Sequence, residues 1–170
     1  LLMLKEQLDK IVLSKLKLPS KSEPNLDHWK DFLGRLKNPT AEVRIGLIGK
    51  YVELPDAYKS IIEAFIHAGS KNECKVKVEY IHSEGIYPEN AKEALGHLHG
   101  VLVAPGFGSR GIEGKIDAIR YVRENNVPFF GICLGMQCAV IEYGRNVIGL
   151  SNANTTEIDE NTEFPVINMM

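Results

Sequence analysis

From residue 42 onward, short apolar stretches alternate with longer segments of helical periodicity, and this alternation constrains the fold more than any other feature of the chain. Residues 43–49 read as a short apolar strand. Pro55 opens a helix running to His67, with Ile61, Ile62, Ala64, Phe65 and Ala68 on its apolar stripe. Residues 76–81 alternate as a strand, and Pro88 starts a helix that runs to Leu98. Residues 101–104 form a buried-type strand and 112–124 a helix. Residues 127–132 form a strand running into Cys133, with a helix over 134–143. Strands joined by helices of this length require βαβ crossovers, hence an α/β fold: a doubly wound, mostly parallel sheet with helices on both faces, flavodoxin-like. Ligands of such sheets bind beyond the carboxyl ends of the strands. Gly49-Lys50-Tyr51, Pro105-Gly106-Phe107-Gly108 and Cys133-Leu134-Gly135 all fall at such ends.

The first 41 residues have another texture. Leu4, Leu8, Ile11, Val12 and Leu16 fit one helix over 1–18 with a single buried face. Pro19-Ser20-Lys21-Ser22-Glu23-Pro24 breaks it, and a second helix follows over 26–36, capped by Asn25 or Asp27. Its Trp29, Phe32, Leu33 and Leu36 share one side and read as packing; Asn38-Pro39 ends it. The chain starts without Met in mid-helix pattern and stops just after an apolar run, which suggests a piece of a longer protein.

With 170 residues, 44% of them hydrophobic, the chain has the size and composition of one globular domain. A net charge of -2 supplies no electrostatic reason for a nucleic-acid or membrane partner. No apolar run reaches the roughly 20 residues that span a bilayer, and the N-terminus lacks the shape of a signal peptide, so a cytoplasmic location is expected. Cys74, Cys133 and Cys138 make neither a disulfide framework nor zinc-ligand spacing, and no metal site is expected.

The most informative stretch is Phe130-Gly131-Ile132-Cys133-Leu134-Gly135-Met136-Gln137. A Cys between strand and helix, with glycines two positions to either side, has the form of a nucleophile elbow carrying a thiol. The amides opening the next helix point at the sulfur and favour thiolate, the reactive form. Taken alone, Gly-x-Cys-x-Gly also fits a buried Cys in a strand-to-helix turn, or a redox-sensing or hydrolytic Cys. Ala104-Pro105-Gly106-Phe107-Gly108-Ser109-Arg110-Gly111 follows a buried strand and is a candidate oxyanion hole together with the Leu134 amide. The bland alternative is an ordinary βα turn.

The longer Cys133 string resembles the nucleophile motif of class I glutamine amidotransferases. Gly46-Leu47-Ile48-Gly49-Lys50-Tyr51, Asp56-Ala57-Tyr58-Lys59-Ser60, His67-Ala68-Gly69, Arg110-Gly111-x-Glu113-Gly114-Lys115, Glu142-Tyr143-x-Arg145-Asn146-Val147 and Asn152-Ala153-Asn154-Thr155-Thr156-Glu157 are together similar to the glutaminase domain of the CTP synthase family. The resemblance covers residues 42–170; residues 1–41 resemble, more weakly, the tail of that family's synthetase domain and its interdomain linker.

The resemblance implies hydrolysis of L-glutamine, with the ammonia used in ATP-dependent amination of UTP to CTP in pyrimidine nucleotide biosynthesis. Cys133 would be the nucleophile. Gly106, Leu134, Gly135, Met136, Gln137 and Glu157 would bind glutamine, Gln137 and Glu157 at its amino-acid end. Arg110, Gly111 and Glu113 match a loop that takes part in activation by GTP, although Arg110 and Glu113 also fit a plain surface ion pair. No cofactor is implied in these residues; ATP and magnesium belong to the synthetase domain, and the full enzyme would be a homo-oligomer, a tetramer.

Two departures accompany the resemblance. The family usually has Pro-Gly-Gly-Phe-Gly where this chain has Ala104-Pro105-Gly106-Phe107-Gly108, and Pro105 has no N–H, so any oxyanion donor must come from Gly106 or beyond. A cysteine nucleophile also needs a base, in this family a His-x-Glu well past the Cys. No His follows Cys133 in the 37 residues to Met170, so these residues alone are expected to be catalytically incomplete. His82-Ser83-Glu84 is the only His-x-Glu and reads as a decoy; His28, His67, His97 and His99 read as surface or core-edge residues. Cys138 reads as a small buried apolar residue and Cys74 as part of a polar loop. The rival readings are the glutaminase of another amidotransferase such as the guanylate-forming one, a regulatory or assembly module that kept the fold without catalysis, and a stand-alone reactive-Cys protein.

Overall fold

A computed structural model describes residues 2–20 and 23–168. They form two units, Leu1–Gly34 and Arg35–Met170.

In the first unit the expected single helix is two, α1 (Leu2–Lys5) and α2 (Leu8–Lys15). The break falls at Gln7, whose backbone is left-handed with φ 53° and ψ 34°. The expected buried face is also absent: Leu8, Ile11, Val12 and Leu16 are 44–62% exposed, and α1 and α2 contain no buried residue. Two helices of four and eight residues offer too little facing surface to close a core. Met3, Leu8, Val12, Leu26, Trp29 and Leu33 line an open apolar groove of about 720 Å³ instead. The third helix, α3 (Asp27–Lys37), begins where Asn25 Oδ1 accepts from the Asp27 amide at 2.8 Å, which makes Asn25 the capping side chain. Trp29 and Phe32 meet edge to face at 5.9 Å between centroids. Lys21 and Ser22 of the expected linker lie outside the described residues.

The second unit is the doubly wound sheet. Strands β1 (Ala41–Gly49), β2 (Cys74–His82), β3 (Gly100–Val103) and β4 (Phe129–Gly131) pair in the order β2-β1-β3-β4, all parallel. Between them run α4 (Lys59–Lys71), α5 (Ala91–Leu95) and α6 (Ile112–Glu124), and α7 (Leu134–Tyr143) follows β4. Period-two alternation sends neighbouring strand residues to opposite faces. Leu47 and Leu102 pack with Tyr58, Ile61, Ile62 and Phe65 on the α4 side. Ile48, Val101 and Val103 pack with Ile112, Ile116 and Ile119 of α6 and with Leu134, Cys138 and Ile141 of α7 on the other. Both faces are covered, as parallel sheets require.

Several boundaries differ from the sequence reading. Pro55 opens a 3-10 turn (Pro55–Tyr58), and the α-helix starts only at Lys59 and reaches Lys71; Ala64 and Ala68, expected on its apolar stripe, are exposed. The helix expected over 88–98 shrinks to the five residues of α5, its C-terminal turn closing at Gly96, whose amide bonds the Lys92 carbonyl. Cys74 opens β2 and is no loop residue, because β2 pairs with β1 along its whole length from Ala41↔Cys74 to Gly49↔His82. α6 and α7 fall where their periodicity puts them. Beyond α7 come a π-type turn (Gly144–Ile148) and a parallel pair, β5 (Ala153–Thr155) and β6 (Phe164–Ile167).

Candidate active site

Cys133 joins β4 to α7 with φ 52° and ψ -109°, and its residue surface is exposed. This is close to the mirror image of ordinary extended backbone, open to glycine and costing an L-residue roughly 1–3 kcal/mol. The flanking glycines make the turn possible. A Cβ at position 131 would lie 2.6 Å from the carbonyl carbon and oxygen of Gly135, and one at 135 would lie 2.2 Å from the Val103 carbonyl oxygen. The backbones of β3, β4 and α7 therefore meet without side chains between them, which lifts Cys133 to the carboxyl edge of the sheet.

The turn also sorts its amides. Gly135 N–H donates to the Ile132 carbonyl at 2.9 Å, and the amides of Met136 and Gln137 both donate to the Cys133 carbonyl, at 3.0 and 3.1 Å. The Leu134 amide has no backbone acceptor among the described residues, which leaves it to an anion at the helix N-terminus.

The glycine-rich loop lies beside it. From Gly106, the direction a Cβ would take finds Lys50 Cε at 3.5 Å, Leu134 Cδ2 at 3.6 Å and Lys115 Nζ at 3.8 Å. The three strand ends singled out in the sequence thus converge. Lys50, itself 8% exposed, donates from Nζ to the Phe107 carbonyl. The fully buried Lys115 donates from Nζ to the Ala104 carbonyl at 3.1 Å. Lys50 entered the sequence reading as part of a strand end, whereas Lys115 entered only as a letter of a family pattern. The signal at Lys115 was its position three residues after Ile112 and one before Ile116, on the apolar stripe of α6.

The remaining residues fall into two groups. Gln137, half-buried on the first turn of α7, has Oε1 buried without a hydrogen-bond partner, an acceptor available to a ligand. Met136 is 51% exposed at the mouth. Glu157 lies in the turn after β5 with its residue exposed and its amide donating to Thr155 Oγ1 at 3.3 Å; among the described residues no hydrogen bond ties it to Cys133 or Gln137.

Arg110, Gly111 and Glu113 surround the short 3-10 turn Ser83–Gly85. Arg110 pairs with Glu84 at 3.1 Å, whereas Glu113 pairs with Arg145 at 2.8 Å, so the two do not form the mutual pair considered from sequence. Gly111 has φ 74°, and a Cβ there would meet Ser83 Oγ at 2.4 Å. Arg145 Nε also donates to the Ala153 carbonyl at 2.8 Å, joining the start of α6 to β5. Glu84 spends its carboxylate on Arg110, and His82 Nδ1 accepts only weakly from the Glu84 amide at 3.4 Å, an arrangement with no acid–base dyad in it. Burial pushes the Cys138 thiol up to about 11, and Cys138 is wholly enclosed. Among the described residues no cluster of three His, Cys, Asp or Glu could hold a metal ion.

The model for glutamine amidotransferase class-I matches residues 53–168. The chain belongs to the class I glutamine amidotransferases. Within that family it is 67% identical over 170 residues to the CTP synthase of Cytophaga hutchinsonii, covering all of this chain and 32% of that protein. It is 56% identical over 172 residues to the CTP synthase of Methanocaldococcus jannaschii, covering 98% of this chain and 32% of the relative. The chain spans about a third of the length of these relatives. The glutaminase domain of Trypanosoma brucei CTPS, solved with bound acivicin, matches with a TM-score of 0.71 and 39% identity over 75% of this chain and 50% of that one. The amidotransferase fold expected from the sequence is thereby established.

Proposed function

We propose that these residues hydrolyse L-glutamine as the ammonia-supplying part of a CTP synthase, with Cys133 as nucleophile. The observation that carries the reading is the backbone of Cys133, an exposed cysteine held at φ 52° and ψ -109° on the tip of a strand-to-helix turn. A strained residue in such a turn is retained where the strain presents a reacting atom. The similarity of the whole chain to CTP synthases at 54–67% identity sets the synthetic context.

In the proposed mechanism the Cys133 thiolate attacks the side-chain amide carbon of glutamine, forming the S–C bond. The carbonyl oxygen becomes an oxyanion facing the Leu134 amide and the backbone at Gly106–Phe107. Collapse breaks the C–N bond, and ammonia leaves with a proton delivered by the general base acting as acid. Water then cleaves the γ-glutamyl thioester, releasing glutamate and restoring the thiol. The base is proposed to be a His of a His-x-Glu pair elsewhere in the gene product. The orphan Oε1 of Gln137 suits the α-ammonium end of the substrate, and the exposed carboxylate of Glu157 is proposed to reach the same end.

Ammonia would then aminate UTP in a synthetase domain that binds ATP and magnesium, in a homo-oligomer, tetrameric by family likeness, with GTP acting through Arg110, Gly111 and Glu113. A cytoplasmic location is part of the same proposal; no helix among the described residues is long and apolar enough to cross a membrane.

The test is CTP formation by the complete gene product and its Cys133→Ala variant, from UTP and ATP with glutamine or with ammonium. Loss of the glutamine-driven reaction with retention of the ammonium-driven one is expected. A parent protein that makes no CTP from either nitrogen source would remove the synthase reading and leave only the amidotransferase fold.

A further inference from the structure

Among the described residues, Lys115 is the largest fully buried side chain and the only fully buried lysine. A lysine ammonium is almost never enclosed in this way without an anionic partner, because its desolvation is costly. Here no ion pair to Lys115 exists among the described residues, and its one hydrogen bond is to a neutral acceptor, the Ala104 carbonyl at 3.1 Å. An ammonium carries three donors, so two remain for other acceptors. The charged and titratable groups that face it are Cys138 from α7, Cys133 from the turn before α7 and Lys50 from just past β1, none of them a carboxylate. Cys138 in turn faces Glu113 and Arg145.

The location of this cation is specific. Its Nζ lies 3.8 Å from where a Gly106 side chain would begin, on the same side as Leu134 Cδ2 at 3.6 Å. It thus sits behind the glycine-rich loop, between that loop and the helix start that carries Cys133. Lys50 holds the Phe107 carbonyl from just past the end of β1 while Lys115 holds the Ala104 carbonyl from α6, so the loop is pinned on both sides of Gly106. Pro105 cannot donate and adds rigidity between the two pins. An enclosed positive charge without a counter-charge is stabilised when negative charge develops nearby, first as thiolate and then as oxyanion. Burial pulls the Lys115 ammonium down from its ordinary value, with the thiols of Cys138 and Cys133 acting the other way.

We propose that Lys115 is a positioning residue of the glutaminase site, fixing the loop at Ala104 and holding an uncompensated positive charge behind the Cys133 thiolate and the oxyanion. The inference rests on the proposed role of Cys133. It goes beyond that reading by assigning a function to a helix side chain that never touches substrate.

The experiment uses the complete gene product with Lys115→Met, which keeps the length of the side chain and removes the charge, and Lys115→Gln as a second variant. Carbamidomethylation of Cys133 by iodoacetamide, with iodide leaving, is followed by peptide mass at pH 7 and pH 10, alongside glutaminase kcat and KM. In Lys115→Met the Cys133 rate is expected to fall about tenfold at pH 7 and to match the parent at pH 10, with kcat down roughly 10- to 100-fold and KM within about threefold. A merely structural role would slow alkylation equally at both pH values or leave it unchanged, and either result overturns the proposal. If Lys115→Met does not fold, Lys115→Gln is judged by the same criteria, and failure of both to give a folded protein also overturns it. Should the parent show no glutaminase activity while alkylation still responds to Lys115, the catalytic reading of Cys133 fails and the electrostatic role of Lys115 stands.

Discussion

Gly135 packs so closely on Val103 that a Cβ at 135 would stand 2.2 Å from the Val103 carbonyl oxygen. That contact ties the N-terminus of α7 to the end of β3 and sets the height of Cys133 above the sheet. Gly135→Ala must push α7 off the strand, because the obstructing atom is backbone and cannot rotate away. We expect a loss of about 3 kcal/mol or more in urea unfolding, at the upper end of overpacking costs. A loss under about 1 kcal/mol would mean that the helix start is not held at this distance.

The strain at Cys133 is separable from its chemistry. Alanine suffers the same steric penalty at φ 52° as cysteine does, whereas glycine does not. Cys133→Gly is therefore expected to be more stable than Cys133→Ala by about 1 kcal/mol, although glycine normally destabilises through chain entropy. Urea midpoints of the two variants decide this; an alanine variant as stable as the glycine variant would argue that the turn is relaxed.

Glu142, 1% exposed, receives a bidentate contact from Arg123, with Nη2 at 2.8 Å and Nε at 3.0–3.1 Å, and a further bond from Asn146 at 3.2 Å. Arg123→Ala would leave a carboxylate enclosed against α6 with only the Asn146 amide. The expected cost is about 3 kcal/mol, at the lower end for broken buried pairs because the Arg123 side chain is 33% exposed. Adding Glu142→Leu should recover most of it, and a double mutant as unstable as Arg123→Ala would show that the pair is not the cause.

Cys138 supplies a pH dependence. Its thiol is raised from 9.0 to about 11, chiefly by burial, with Lys115 opposing. Above pH 9 the unfolded chain loses this proton first, so stability falls as pH rises from 9 to 11, by up to about 2–3 kcal/mol from this group. Cys138→Ala should flatten the parent's curve across that window while leaving the difference between pH 7 and 8 unchanged. Iodoacetamide at pH 8 should label Cys133 and leave Cys138 untouched; labelling of Cys138 in the folded protein would contradict its enclosure.

The strands and helices of the sheet were legible because their signals are local. Ile112, Ile116 and Ile119 mark one face of α6 by spacing, and Gly131-Ile132-Cys133-Leu134-Gly135 marks a sharp turn between strand and helix by steric need. Where the reading failed, distant partners decided. Cys74 belongs to a strand because Ala41 pairs with it, and the stripe of Leu8, Ile11 and Val12 is not a core because its own unit provides no surface to close over it.

What the sequence determined by itself is the parallel α/β architecture, the placement of three loops at the carboxyl ends of strands, and a cysteine elbow among them, since periodicity, crossover length and glycine spacing are written along the chain. Tertiary structure alone decided that Arg110 goes to Glu84 and Glu113 to Arg145, that Gln137 keeps an unpartnered oxygen, and that Lys115 lies enclosed behind Gly106. Those outcomes depend on which charged groups share a desolvated space, and that is fixed only when β3, α6 and α7 pack together.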